Sequence, residues 1–297
     1  MTTDDLSRNR DNFCYRHPDR QSFVLCQRCL RTICPECQTP AAVGVICPEC
    51  LADQQRAASP AQRKAERRWS RRPQAVTIGD TRPLVTYAII GITALAYLVT
   101  LIPGVGETIR SALLFYAPLL YPQLFGAFEP WRLLTVSLVH GNFVHLALNM
   151  LALLMIGRSL EPLLGRWRFL TLYLLSALGG SVAVVILSFG TPVVGASGAI
   201  FGLFGALLVI GRHIGANIGG IAIVLGINLV IGFVPGFNVS WQAHVGGLVV
   251  GLLVSFIYTR TRSPRQRGLQ IALLAVVAAA LVALLLVPVA APGVVLG

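Results

Sequence analysis

Residues 84–297 contain no lysine, no aspartate and only three glutamates. Across the whole chain 12% of residues are charged, about half the ~25% of an ordinary soluble domain. That scarcity excludes an ordinary cytoplasmic enzyme. A hydrophobic content of 55% excludes a disordered chain as well. Seven cysteines, an odd number, cannot all pair in a disulfide framework, and a reducing compartment would not keep one. No internal repeat and no carboxylate fall in the seven apolar stretches described below. A proton-coupled transporter would show both.

What the sequence does contain is segregated. Residues 1–83 hold 14 of the 24 basic residues, 9 of the 12 acids and all seven cysteines. A polar head therefore precedes a polytopic membrane domain. The boundaries read as a metal-binding domain at 1–51, a basic linker at 52–83, a membrane domain at 84–290 and a short tail at 291–297. The first 80 residues carry no apolar signal segment, so the head is expected in the cytoplasm.

The head's cysteines form four two-ligand knuckles: Cys14-x2-His17, Cys26-x2-Cys29, Cys34-x2-Cys37 and Cys47-x2-Cys50. Eight ligands suit two tetrahedral zinc ions, and a two-residue gap lets both side chains of a knuckle reach one ion. Sequential pairing of the knuckles and interleaved pairing are both open. The spacing resembles that of cross-braced B-box-type fingers, and the resemblance implies the interleaved form. So short a segment builds little core, so the metal supplies the folding energy. Two zinc ions on seven thiolates bring the formal +12 down to about +9, and the head to about +2. No basic recognition helix is visible, so nucleic acid is not an expected partner. A cytoplasmic protein partner is one role open to the head. In the linker Arg63, Lys64, Arg67, Arg68, Arg71 and Arg72 suit a topology anchor in contact with anionic lipid.

Seven apolar stretches are long enough to be read as spans: 84–102, 142–157, 168–188, 194–211, 217–234, 239–259 and 270–290. Between the first two lies a proline-broken apolar loop, 103–141, expected to lie in the interface. Arg158, Arg166, Arg168, Arg212, Arg260, Arg262, Arg265 and Arg267 fall in loops on the head's side, against Arg110 and Arg132 opposite. The positive-inside rule then places the head in the cytoplasm and the C-terminus outside. Almost no lysine beside abundant Ala, Gly and Arg suggests a GC-rich bacterial genome, hence a plasma membrane.

With direction set, polar residues acquire depth. His140, His145 and Asn149 begin the second span, Gly195-Ala196-Ser197-Gly198 opens the fourth, and His244 lies one turn into the sixth. All three spans run inward, so these groups share one depth near the outer face. His145 and Asn149, at i and i+4, share a helical face. Ala243, Gly247 and Gly251 form one small-residue stripe, and Gly198 and Gly202 another. Such stripes let helices approach closely in lipid. A serine needs a base, and neutral imidazole suits neutral pH. Ser197 and His244 thus make a nucleophile–base dyad without a carboxylate, with His145, Asn149 and the Ser197 backbone N–H as oxyanion donors.

These residues resemble the rhomboid intramembrane serine proteases over about residues 84–290. The family's GxSG serine matches Ser197, and its AHxxGxxxG motif matches Ala243-His244 through Gly247 and Gly251. Its second-span His and Asn positions match His140, His145 and Asn149. Its Trp-Arg pair matches Trp131-Arg132, and its ExxxGxxRF pattern matches Glu161, Gly165, Arg168 and Phe169. The resemblance implies an all-α bundle of six core transmembrane helices, here with a seventh at the C-terminus. It also implies a water-filled cavity open to the outside, hydrolysis of transmembrane substrate proteins near their outer end, and no catalytic cofactor. His140 would support the cavity, Trp131 and Arg132 would anchor the outer loop, and Glu161 and Arg168 the inner one. Many members carry Tyr four residues after the serine; this chain has Phe201, whose ring can still pack on the histidine. The alternative class is a non-catalytic rhomboid-like scaffold that binds client helices.

Overall fold

In the computed structural model of the chain, residues 9–40, 44–57, 82–213, 218–232, 239–290 and 293 are described. Two compact units divide the chain, Met1–Gly79 and Asp80–Gly297. The basic run from Arg63 to Arg72 lies outside the described residues. So does the tail 291–297, apart from Gly293.

The first unit is built around its cysteines. Phe13 bridges Gln21 and Leu25 bridges Thr32, giving two tight turns. Strand β1 (Thr39–Pro40) pairs antiparallel with β2 (Val45–Ile46). Helix α1 (Pro48–Ala57) opens on a proline, whose missing N–H costs nothing at a helix start. The buried cluster consists of Cys14, Cys26, Cys34, Cys37, Cys47 and Cys50 with Ile33 and Ile46. In a segment this short the candidate ligands are themselves the core.

The second unit is a helical bundle. Its long helices are α2 (Leu84–Thr100), α3 (Gly106–Leu113), α4 (Phe143–Leu164), α5 (Arg166–Leu187), α6 (Ser197–His213), α7 (Gly219–Ile231), α8 (Trp241–Arg260) and α9 (Arg267–Leu284). Each of the seven expected spans corresponds to one of α2 and α4–α9. Among the described residues, α4, α5, α8 and the stretch Pro264–Ala290 containing α9 are long and apolar enough to cross a membrane. Helices α2, α6 and α7 are apolar but shorter. The chain is a polytopic, all-α membrane protein with a small cysteine-rich head.

One boundary differs from expectation. The second span reads as 142–157, yet α4 continues to Leu164 and stops at Gly165, whose φ of +82° ends the helix. Glu161 therefore lies inside a helix, buried, where no carboxylate was expected. Its carboxyl oxygens are satisfied by the start of α2, about 75 residues earlier in the chain. The backbone N–H groups of Val85 and Thr86 donate to its two oxygens at 2.9 and 2.8 Å, and the Thr86 hydroxyl donates at 2.7 Å. The first N–H groups of any helix lack intrahelical partners. Glu161 supplies them for α2, which explains how an acid is tolerated there.

Glycines set the centre of the bundle, where α5, α6 and α8 meet. A Cβ at Gly247 would collide with the Gly198 carbonyl, and one at Gly251 with the Gly202 carbonyl. Gly202 in turn lies against Ser176 of α5. The two small-residue stripes thus face each other, as backbone-to-backbone contact in lipid requires. Below them Leu153, Phe169, Leu172, Leu203 and Val254 are fully buried. The loop between α2 and α4 is not featureless. Phe115, Ala117, Leu120, Tyr121, Leu133 and Val136 form a second buried cluster with Val184, Val185, Phe189 and Ala243.

Candidate functional site

Ser197 is the first residue of α6, and the segment before it is tightly held. Phe115 and Val193 exchange backbone hydrogen bonds at 3.0 and 2.8 Å. The Gly195 N–H donates to the Val136 carbonyl at 3.0 Å, and the Ala196 N–H to His140 Nε2 at 3.5 Å. Gly195 has a φ of +123°, and a Cβ there would stand 2.8 Å from both Cε1 and Nε2 of His145. Glycine is required for its backbone angle and for the imidazole edge beside it. A cleft lined by Val136, Ser137, Ser181, Val193, Gly195 and Gly198 opens beside Ser197.

His244 is buried one turn into α8, whose first turn is capped by Ser240, the Oγ accepting from the Ala243 N–H at 3.4 Å. Its ring stacks on Phe201, with centroids 3.9 Å apart and planes 12° from parallel. Phe201 lies one turn beyond Ser197. The Nδ1 of His244 has no hydrogen-bond partner among the described residues. Stacking, rather than a carboxylate, therefore sets the plane of this imidazole. Gly198 and Ala243 meet closely: a Cβ on Gly198 would lie 3.3 Å from the Ala243 carbonyl. Among the described residues no hydrogen bond joins Ser197 to His244. Such bonds are often long in substrate-free enzymes and tighten in the complex.

The facing helix α4 begins at an Asn142 cap, which accepts the His145 N–H at 2.9 Å. The His140 and His145 rings meet edge-on at 5.0 Å. One N–H of the Asn149 amide donates to the His145 carbonyl at 2.8 Å, and an amide carries two such donors. Trp131 donates from Nε1 to the Ala112 carbonyl at 3.1 Å. Arg132 is buried, pairs with Glu129 and donates to the Leu114 carbonyl at 2.7 Å. Both residues thus bind α3 and its exit to the helical turn at Arg132–Thr135.

The head holds two further clusters. Cys14, His17, Cys34 and Cys37 converge in one, and Cys26, Cys29, Cys47 and Cys50 in the other. Within each, every ligand atom lies within 4.8 Å of the others. The knuckles are therefore interleaved, first with third and second with fourth. The donor sets fit zinc. Bonds of ~2.3 Å to a tetrahedral ion place sulfurs about 3.8 Å apart. The Cys29 and Cys47 sulfurs are 3.7 Å apart, and His17 Nδ1 is 3.3, 3.5 and 3.8 Å from Cys34, Cys37 and Cys14. Both groups can hold a metal ion. Burial raises the Cys14 and Cys26 thiols, but N–H donors overcome it and bring each down to about 6. Burial, then the neighbouring sulfurs, push Cys37 up to about 11 and Cys50 up to about 12. Each cluster thus mixes a ready thiolate with a thiol that only a cation would ionise.

Sequence reasoning passed over several residues that shape this site. Gly195 is legible as the first glycine of the GxSG motif, but the φ of +123° and the imidazole edge that require it there are not. Ser181 donates to the Leu133 carbonyl at 2.7 Å and lines the cleft. Tyr121, in the buried cluster with Phe115 and Val136, carries no motif. In a single sequence, a polar residue among apolar ones is the only available signal, as Ser181 shows in its Gly-Gly-Ser-Val-Ala-Val context.

A helical bundle in the membrane, with a serine at a helix start and a histidine on the neighbouring helix, defines the class. Residues 127–261 match the Rhomboid domain family. Rhomboid protease GluP of Bacillus subtilis (strain 168) is 35% identical over 193 residues, covering 62% of this chain and 37% of that protein. RHOMBOID-like protein 4 of Arabidopsis thaliana is 40% identical over 136 residues, covering 43% of this chain and 34% of its own length. The chain thus spans well under half the length of these two relatives. It spans 71% of a shorter rhomboid, YdcA of Bacillus subtilis, at 35% identity over 143 residues. The chain belongs to the rhomboid family.

Proposed function

We propose that this chain is an intramembrane serine endopeptidase that hydrolyses transmembrane proteins near the outer face of the membrane. Ser197 is the nucleophile and His244 the general base, then acid. The Ser197 oxygen attacks the scissile carbonyl carbon while its proton passes to His244. The tetrahedral oxyanion is held by His145, Asn149 and the Ser197 N–H. Collapse breaks the C–N bond, and the leaving amine takes the proton back from His244. Water, deprotonated by the same histidine, then attacks the acyl carbon; the bond to the Ser197 oxygen breaks, His244 returns the proton to that oxygen, and the acid product leaves. The observation that carries this reading is the Phe201–His244 stack on helices whose glycine stripes let their backbones touch. The relatives named as rhomboid proteases support proteolysis in general.

Two zinc ions hold the head, one on Cys14, His17, Cys34 and Cys37, the other on Cys26, Cys29, Cys47 and Cys50. They supply folding energy and take no part in the reaction. The head lies in the cytoplasm, the C-terminus outside and the site opens outward, in the plasma membrane of a bacterium.

Purified full-length protein is tested on a model transmembrane substrate beside Ser197→Ala and His244→Ala. Each variant should lose about 1,000-fold or more in kcat while keeping its helical content. Cleavage that survives in folded Ser197→Ala rejects the mechanism. A scaffold, by contrast, would retain client binding in that variant and never cut.

A further inference from the structure

The seventh span, α9, packs on the bundle's buried core through Val277 and Leu281 and is hydrogen-bonded at both ends. At its start Gln270 is buried and fully satisfied. Its Oε1 accepts from Arg168 Nε at 2.9 Å, and its Nε2 donates to the Thr261 carbonyl at 3.0 Å and the Thr261 hydroxyl at 2.7 Å. The Tyr258 hydroxyl donates to the Arg168 carbonyl at 3.1 Å. One side chain thus joins the first turn of α5, the end of α8 and the start of α9.

The other end meets the loop between α2 and α4. Leu285 is the residue that caps α9, and its carbonyl accepts the Tyr121 hydroxyl at 2.7 Å. A carbonyl at a helix end has no intrahelical donor, and lipid offers none. Tyr121 is buried, packs on Phe189 with ring centroids 5.5 Å apart, and belongs to the cluster containing Phe115 and Val136. Those two residues hold the segment before Ser197. Phe115 shares two backbone bonds with Val193, and Val136 accepts the Gly195 N–H. A continuous path therefore runs from the C-terminal end of α9, through one phenol, to the backbone two residues from Ser197.

We infer that α9 is a brace for the outer loop, and that Tyr121 is a positioning residue which sets the 193–196 segment from which the nucleophile projects. The inference rests on the serine-protease reading for its effect on rate, but not for the coupling itself. Gln270 fixes the far end, so the stretch from Gln270 to Leu285 bears on the loop as a rod about 22 Å long rather than as a loose strand.

The test measures amide deuterium uptake and cleavage kinetics on the full chain, for wild type, Tyr121→Phe and Gln270→Leu. Removing the Tyr121 hydroxyl should speed exchange at Val193, Gly195 and Ala196 several-fold. It should lower kcat about tenfold with KM within twofold, since a small misplacement of reacting groups is costly. Unchanged exchange at those three amides overturns the brace, whatever happens to thermal stability. If Tyr121→Phe loses protection throughout α6, Gln270→Leu is decisive instead: faster exchange at 193–196 supports the brace, and a change confined to residues near 168, 261 and 270 overturns it. If wild type cuts nothing while Tyr121→Phe still loosens 193–196, the protease reading fails and the brace stands.

Discussion

The residues proposed as catalytic are placed by neighbours to which the proposal gives no chemistry. His140 accepts the Ala196 N–H, and the open face of Gly195 leaves room for the His145 edge. Backbone geometry one and two residues before the serine thus meets two imidazoles, those of His140 and His145. Replacing His145 or Asn149 with alanine should each lower kcat about 100-fold and move KM little, because a donor to the oxyanion acts chiefly in the transition state. Steady-state rates of the two variants check this, and an effect on KM alone would reassign them to substrate binding. Gly195→Ala should be worse for activity than its size suggests. It strains a φ of +123° and pushes on the same imidazole.

At the scale of helices, the central contact is between α6 and α8. Gly247 and Gly251 allow it by letting a carbonyl of α6 approach where a side chain would otherwise stand. The neighbour at each point is backbone, which cannot rotate away. Gly247→Leu should force the two helices apart, costing about 3 kcal/mol or more. It should abolish cleavage even where helical content survives, because His244 rides on α8 and Phe201 on α6. Thermal unfolding in detergent beside the cleavage assay separates the two effects. A Gly247→Leu protein with wild-type stability and rate would show that the helix spacing is not what the glycine stripe protects. Glu161 makes the equivalent junction between α2 and α4, by a different means. There a buried carboxylate takes the place of close backbone packing and accepts the free N–H groups of α2.

For the whole molecule, the two units have separate cores: one of cysteines and two isoleucines, the other of membrane helices. A strong chelator should unfold residues 9–57 and leave the unfolding temperature of the membrane unit within a few degrees, which circular dichroism with calorimetry resolves. The same head should bind zinc with a definite pH dependence. The metal-free thiols of Cys37 and Cys50 ionise only at about 11 and about 12, so binding at neutral pH expels at least one proton from each site. Affinity must therefore weaken as pH falls. Between pH 8 and pH 6 the loss should be at least about tenfold per unit at each site. Below about 6, Cys14 and Cys26 also take up protons and the dependence steepens. Chelator competition at three pH values measures it, and a flat profile would contradict the thiol assignments.

Much of this was legible in the amino-acid sequence. Apolar run length and arginine asymmetry are additive properties of neighbouring residues, so the spans and their order could be counted. The knuckle spacings announced eight ligands for the same reason: each pair closes within one turn of chain. Ser197, His145, Asn149 and His244 could be grouped as a candidate site because direction along each span gives depth. What tertiary structure decided was everything that depends on two segments distant in sequence. The interleaving of the knuckles is one case, since either pairing satisfies the spacing and only the folded turns bring Cys14 and His17 to Cys34 and Cys37. The extension of α4 to Leu164 is another. Counted locally, Glu161 is a charge that ends a span; across 75 residues it is a cap for Thr86. The bond from Tyr121 to Leu285 spans 164 residues and leaves no trace in composition or periodicity. Local pattern records what each residue can bury, whereas the partner that satisfies a buried polar group is chosen only when the helices pack.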